Sequence, residues 1–286
     1  MDDGHRVSLV RHRPGPGLAG LVAGMVGLSE SAPGAVMRRQ PAGTLLPLVL
    51  TFDGALEVVD LADGAGAGRS YRSFVAGLSG GHATTRFAGT MDCLQVYLTP
   101  LGVRRVLGVP GAEVARRVVA VDDVVPGLGD DLADRVASAA SWEQRFTLVE
   151  AALTRHAARS AGVVPPWVAW MWRQIRASGG QARIADLVDQ TGWSHRHVAT
   201  VFAENVGLTP KRAAGVVRFE HASADLGVLP LAEIAARHGY ADQSHLTHDV
   251  VRYSGETPSA LAAARRPTPS TALGLVDREE PARPRP

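Results

Sequence analysis

The chain repeats itself. Ile184–Pro210 reads IADLVDQTGWSHRHVATVFAENVGLTP and Leu231–Pro258 reads LAEIAARHGYADQSHLTHDVVRYSGETP. Both copies open on a short apolar-patterned segment and reach a glycine eight residues later, Gly192 or Gly239. Both continue through an aromatic and a polar residue into a second segment that stops at Gly207 or Gly255, and both close on Thr-Pro. The offset is 47 residues from Gly192 to Gly239 and 48 from Gly207 to Gly255, so the second copy carries one extra residue. A short helix, a glycine-centred turn and a second helix is the pattern of a helix-turn-helix. The turn between crossed helices asks for a left-handed backbone, which glycine adopts without a Cβ clash. Ser194 and Asp242 stand where N-caps of the second helices are needed. Val198 and Phe202, like Leu246 and Val250, are four apart and belong to one buried face.

The opposite faces are polar. Arg196, Ala199 and Thr200 share the outward side of the first copy, and Gln243, Ser244, Thr247 and His248 that of the second. Arg matches the guanine edge, Gln the adenine edge, and Ser, Thr or His several edges. A helix that presents such residues from its N-terminal half suits the major groove. Between the copies, Thr209 as cap and Pro210 at the first helical position open a helix to Leu226, about 25 Å long at ~1.5 Å per residue. That is a fitting spacer for two reading heads that enter grooves ~34 Å apart. Lys211, Arg212, Arg218 and Arg252, with His195 and His245 at the helix starts, are the candidate phosphate contacts.

Ile184–Leu261 resembles the DNA-binding domain of the AraC/XylS family of bacterial transcriptional regulators. Residues 231–261 carry the resemblance almost position by position, through Ile234-Ala235, Gly239-Tyr240, Asp242-Gln243-Ser244-His245-Leu246, Gly255 and Thr257-Pro258. The resemblance implies base contacts from Arg196, Ala199 and Thr200 in the first recognition helix and from Gln243, Ser244 and His248 in the second. The family often has Arg where Thr200 and His248 stand, so this chain lacks the guanine-matching side chain at those two positions, and Phe where Val250 stands, where Val still keeps the core apolar. It also implies double-stranded operator DNA as partner, and RNA polymerase if the regulator activates. An N-terminal domain, often cupin-like, is implied that binds a small effector, forms a homodimer, or both.

Composition agrees with a soluble folded protein: 286 residues, 45% hydrophobic and 20% charged. The net charge of +2 is uneven. Residues 1–160 hold 16 basic and 16 acidic side chains, and residues 161–266 hold 11 and 9 with six of the ten His. This surplus is too small to point to nucleic acid without the repeat. No stretch of about 18 residues avoids charge and breakers, so no membrane span is expected. Met1-Asp2-Asp3 lacks the order of a secretion signal. A cytoplasmic protein is expected. One cysteine, Cys93, excludes an internal disulfide and a Cys-based zinc site.

Ahead of the repeat the fold class changes. Leu45–Phe52, Ala55–Leu61, Tyr71–Leu78, Ala83–Phe87 and Cys93–Leu98 read as short strands, and Asp53-Gly54 as a hairpin turn. Thr99-Pro100 opens a short helix through Leu107, Val118–Val125 is another apolar run, and Leu128–Ala140 and Trp142–Ser160 read as helices. The expectation is an α+β chain in three parts. Residues 1–160 form a β-rich sensing or dimerisation domain, a cupin-like barrel or sandwich with trailing helices. Residues 161–266 form an all-α domain with two helix-turn-helix motifs, and 267–286 a disordered, Pro-rich tail.

Several sharper readings compete with plainer ones. Gly77-Leu78-Ser79-Gly80-Gly81 satisfies the G-x-S-x-G spacing of a hydrolase elbow, but polar, β-branched residues follow where a helix is required. A serine hydrolase at Ser79, or Cys93-dependent repair, is the rival function in an enzyme class. Cys93 reads better as a small core residue. His195-Arg196-His197 and His245–His248 lack the converging ligands of a metal site, and neither metal nor cofactor is expected. Trp167, Trp170 and Trp172 read as packing. His82, Arg86, Gln95 and Tyr97 fall on candidate strands as an effector pocket, with Gln95 and Tyr97 on one face.

Overall fold

The structure is a computed structural model, and it describes residues 4–160 and 162–264. The expected tail lies outside the described residues. Eight strands build one antiparallel sheet: β1 (Arg6–His12), β2 (Val22–Gln40), β3 (Leu46–Asp53), β4 (Leu56–Leu61), β5 (Arg69–Tyr71), β6 (Ser73–Ala76), β7 (Ala83–Leu98) and β8 (Val118–Ala120). The path runs β1-β2-β7-β3-β6-β8, with β4 paired to both β5 and β7. The β-rich first domain is therefore one sheet organised around β7.

Two long strands were not legible as such. β2 contains Gly24, Gly27, Pro33 and Gly34, each a breaker in a sequence reading. It nevertheless pairs with β7 from Val22↔Leu98 to Gln40↔Ala83. Its register shifts between Ala32 and Ala35, which places Pro33-Gly34 at a bulge, where a missing N–H costs the ladder least. β7 is continuous, although the sequence suggests two runs separated at residues 88–92. The Asp53-Gly54 turn is a correction. β3 and β4 do not pair with each other; β3 pairs with the C-terminal half of β7 and β4 with its N-terminal half. Gly54 has φ +75, and a Cβ on it would stand 2.3 Å from the Thr90 carbonyl. The glycine lets the chain pass close over β7 rather than reverse.

Side chains on the two faces of the sheet have different fates. Leu94, Val96 and Leu98 join the main core beneath α1 (Pro100–Val106), α2 (Gly111–Val114), α3 (Val121–Val124), α4 (Asp130–Ala137) and α5 (Trp142–Arg159). Leu28, Val49, Val58, Phe74 and Cys93 form a second cluster on the other face. The Val118–Val125 run divides into β8 and the one-turn helix α3, and α4 is shorter than the sequence suggests at both ends. Thr99 caps α1 by accepting from the Gly102 N–H at 2.9 Å.

The helical half comprises α6 (Pro166–Ala177), α7 (Ile184–Thr191), α8 (His195–Val206), α9 (Pro210–Asp225), α10 (Leu231–Arg237), α11 (Gln243–Ser254) and α12 (Pro258–Ala264). Trp172 and Met171 are buried, and Trp167 and Trp170 are partly buried against the same core. That core is continuous from the sheet helices into α8, α9 and α11. The halves also meet through polar contacts. The Ala42 N–H donates to the Tyr253 carbonyl at 2.8 Å. The Thr44 hydroxyl donates to Glu220 Oε2 at 2.6 Å, both residues being buried. Arg212 pairs with Asp63 at 3.1 Å. Gly111 of α2 lies so close to α8 that a Cβ there would be 2.4 Å from the Asn205 carbonyl.

Candidate DNA-reading surface and effector cavity

The repeat folds twice into the same device. In the first copy Gly192 takes φ +73 between α7 and α8, and Ser194 Oγ accepts from the His197 N–H at 3.3 Å. In the second, Gly239 takes φ +69 and Asp242 Oδ1 accepts from the His245 N–H at 2.7 Å. Gly207 and Gly255 end α8 and α11 in left-handed conformations, at φ +94 and +71. Val198, Phe202 and Val206 of α8 and Leu246, Val250 and Tyr253 of α11 are buried. With one face of each helix held by the core, the other is left outward.

On that outer face Arg196 and Thr200 are exposed and Ala199 half-buried. On α11 Gln243, Ser244 and His248 are exposed, while half-buried Thr247 donates its hydroxyl to the Gln243 carbonyl at 2.9 Å. The sixteen residues of α9 span about 24 Å.

The candidate phosphate contacts fall into two groups. Lys211, Arg252 and His195 are exposed, with the Arg252 guanidinium 5.3 Å from the Tyr253 ring centroid. Three others are already engaged. Arg212 is held by Asp63. Arg218 donates to the Gly239 carbonyl at 3.3 Å and lies 5.2 Å over the Tyr240 ring, bracing the second turn. His245 Nδ1 accepts from the Ala241 N–H at 3.4 Å, with its ring edge-on to Tyr240.

Two exposed apolar side chains on this side were missed. Trp193 is 52% exposed and lies against the His197 ring in a tilted arrangement, centroids 4.5 Å apart, whereas Tyr240, its counterpart in the repeat, is buried. Val251 is 43% exposed on α11. Tyr240 is covered by the Arg218 guanidinium, 5.2 Å from its ring centroid.

A cavity opens on the second face of the sheet. It holds about 150 Å³ of space open to a water-sized sphere. Val49, Leu56, Val58, Phe74 and Val118 supply apolar walls, and His82, Gln95 and Tyr97 line it together. Arg86 does not; it pairs with Glu57 at 2.6 Å on the exposed side of β7 and is withdrawn from the pocket set. The alternation that puts Gln95 and Tyr97 on one face holds. The Tyr97 hydroxyl donates to Gln95 Oε1 at 2.6 Å, and burial raises the phenol pKa above its usual value. Burial, with Arg39 nearby, lowers the His82 pKa, and His82 Nδ1 is shut off from solvent with no hydrogen-bond partner among the described residues.

The rim of this cavity is also the seam between the halves. Gln40, Pro41, Ala42 and Gly43 line it, as does Asp63. Ala42 holds Tyr253 and Asp63 holds Arg212. A Cβ on Gly255 would meet the His82 ring at 2.6 Å.

Ser79 and Cys93 sit in plain surroundings. The Ser79 hydroxyl donates to the Gly81 carbonyl at 2.7 Å, and the chain runs on into β7 rather than a helix, so the elbow geometry is missing. Cys93 is fully buried, and burial pushes its thiol up to about 12. Among the described residues no helix is long and apolar enough to cross a membrane.

Comparison with known proteins places the helical half. Residues 187–264 match the family model described as a helix-turn-helix domain. No curated protein sequence matches the chain. Among solved structures, the chain is similar to ToxT from Vibrio cholerae, at 9% identity and TM-score 0.45, over 91% of this chain and 98% of that one. It is similar to the C-terminal domain of AraT, a response regulator from Geobacillus stearothermophilus, at 18% identity and TM-score 0.34, over 42% of this chain and 98% of that one. It is also similar to the AraC-like transcriptional activator CuxR, at 13% identity and TM-score 0.31, over 96% of this chain and 87% of that one. Residues 187–264 are therefore a helix-turn-helix domain, set behind a β-sheet-rich N-terminal region.

Proposed function

We propose that the sheet domain takes a small-molecule effector in its cavity and thereby controls how the helical half reads two successive major grooves. The observation that carries this is the pair of capped helices α8 and α11, each anchored by one face and exposed on the other, joined by α9. In this reading Arg196 contacts guanine and Gln243 adenine, while Ser244, Thr247 and His248 meet other edges and Ala199 and Thr200 offer small apolar contacts. Lys211, Arg252 and His195 hold phosphates, which fixes register without carrying sequence information. Arg212 joins them only when Asp63 releases it. The effector reaches the DNA through that seam, because the residues that line the cavity rim also hold α9 and α11. The regulator acts alone or as a homodimer, and meets RNA polymerase where it activates.

Selection of bound DNA from a random pool tests the reading. The expected product is a motif with two half-elements about ten base pairs apart. Arg196→Ala costs about 1–3 kcal/mol of operator affinity and relaxes preference at a single position. Unchanged affinity and preference in that variant, measured by fluorescence anisotropy, would remove α8 from base reading.

A further inference from the structure

We propose that the cavity takes an uncharged, largely apolar molecule with one hydrogen-bond acceptor, such as a ketone or ester, and that Gln95 recognises the acceptor. This rests on the proposed role of the cavity as effector site and names its ligand class. The walls explain the apolar body. Val49, Leu56, Val58 and Phe74 contribute no polar side-chain atom to the interior. A sugar would leave most of its hydroxyls without partners against them.

The polar pair explains the acceptor. Gln95 Oε1 is already occupied by the Tyr97 hydroxyl at 2.6 Å. Among the described residues the Gln95 amide nitrogen is hydrogen-bonded to the Cys93 sulfur alone, at 3.6 Å, and that is a weak acceptor. The amide therefore has donor capacity to spare, and the pair has little acceptor capacity except on the Tyr97 oxygen. The Tyr97 hydroxyl also orients the Gln95 amide, so the donor points where it does before any ligand arrives.

Charge is kept out. The cationic side chains that line the cavity, Arg116 and Arg117, are both exposed, and Arg116 is paired with Asp63 at 2.7 Å. Among the described residues the guanidiniums that line the cavity are exposed ones, so a carboxylate buried beside Gln95 would lack a buried cation to offset its desolvation.

The test is a titration of the full chain with four probes of similar size: acetophenone, ethylbenzene, benzoate and glucose. Affinity is read by calorimetry and by the shift in thermal midpoint, with operator DNA affinity measured in parallel. Acetophenone is expected to bind at least about tenfold more tightly than benzoate and glucose. Gln95→Leu is expected to reduce acetophenone to the level of ethylbenzene while leaving ethylbenzene unchanged, which a loss of fold would not do. Tighter binding of benzoate or glucose overturns the ligand class and leaves the cavity as a sensing site. Acetophenone binding that survives Gln95→Leu overturns the role of Gln95. If none of the four binds while operator DNA does, the class assignment and the sensing role both fall, and DNA reading stands.

Discussion

Thr44→Val removes one hydroxyl from the seam and leaves nearly the same shape behind. Thr44 is 3% and Glu220 4% exposed, so solvent cannot replace what is lost. The hydroxyl donates to Glu220 Oε2 at 2.6 Å, while the Thr44 N–H donates to Oε1 at 3.1 Å and remains in the variant. Removing one partner of a buried hydrogen bond costs about 1–3 kcal/mol. For a chain of this size each kcal/mol moves the thermal midpoint by about 2–4 °C, so the expected drop is about 2–12 °C. The bond joins the β2–β3 connection to α9, so the loss falls on the attachment of the halves rather than on either core. Differential scanning calorimetry of the full chain should show a lower midpoint and a broadened or divided transition. Urea unfolding should show a lower midpoint concentration. A Thr44→Val variant within about 0.5 kcal/mol of the parent, with a single sharp transition, would refute the claim that this contact couples the halves.

Gly180 and Gly192 have nearly the same backbone, φ +76 and +73, but different room. Gly192→Ala meets nothing within 4 Å and is expected to cost only the left-handed strain, about 1–2 kcal/mol. Gly180→Ala would place a Cβ 2.2 Å from the Ala214 carbonyl and should cost about 1–3 kcal/mol more in urea unfolding. Burial, as the leading cause, lowers the pKa of His82, His156 and His221 below the ordinary 6.5. Depressed folded pKa values mean the unfolded chain binds more protons, so stability is held above about pH 6.5 and lost as pH falls through the folded values. Urea midpoints measured between pH 7.5 and pH 5 should fall, with a shallower fall in His221→Gln; a flat profile would count against it. Cys93, pushed up to about 12 by burial, should stay unreactive toward a thiol-specific disulfide reagent at about pH 8 and react fully once the chain is denatured.

The repeat was legible because helix-turn-helix chemistry is local. The caps Ser194 and Asp242, the left-handed glycines and the four-residue spacing of Val198/Phe202 and Leu246/Val250 are each set within one or two helical turns. The outward residues follow from the buried ones by the helical period. Gln95 and Tyr97 were paired for the same reason, since strand alternation is also local. Arg86 lies on the opposite face of β7, where the same alternation puts it once the strand is continuous from Ala83 to Leu98, and only the sheet pairing shows that continuity.

What the sequence determined by itself is therefore the helix-turn-helix half: two capped helices, their buried and exposed faces, and the spacer between them. The tertiary structure alone decided the rest. Strand β2 forms through Gly24, Gly27 and Pro33 because β7 supplies partners along nearly its whole length. Gly54 crosses over β7 instead of turning a hairpin because a distant carbonyl, that of Thr90, lies beneath it. Arg212 and Arg218, expected at phosphates, are instead engaged by Asp63 and Gly239, 149 and 21 positions away. Such contacts depend on chain segments meeting across long loops, and no period or spacing within a segment encodes which partner arrives.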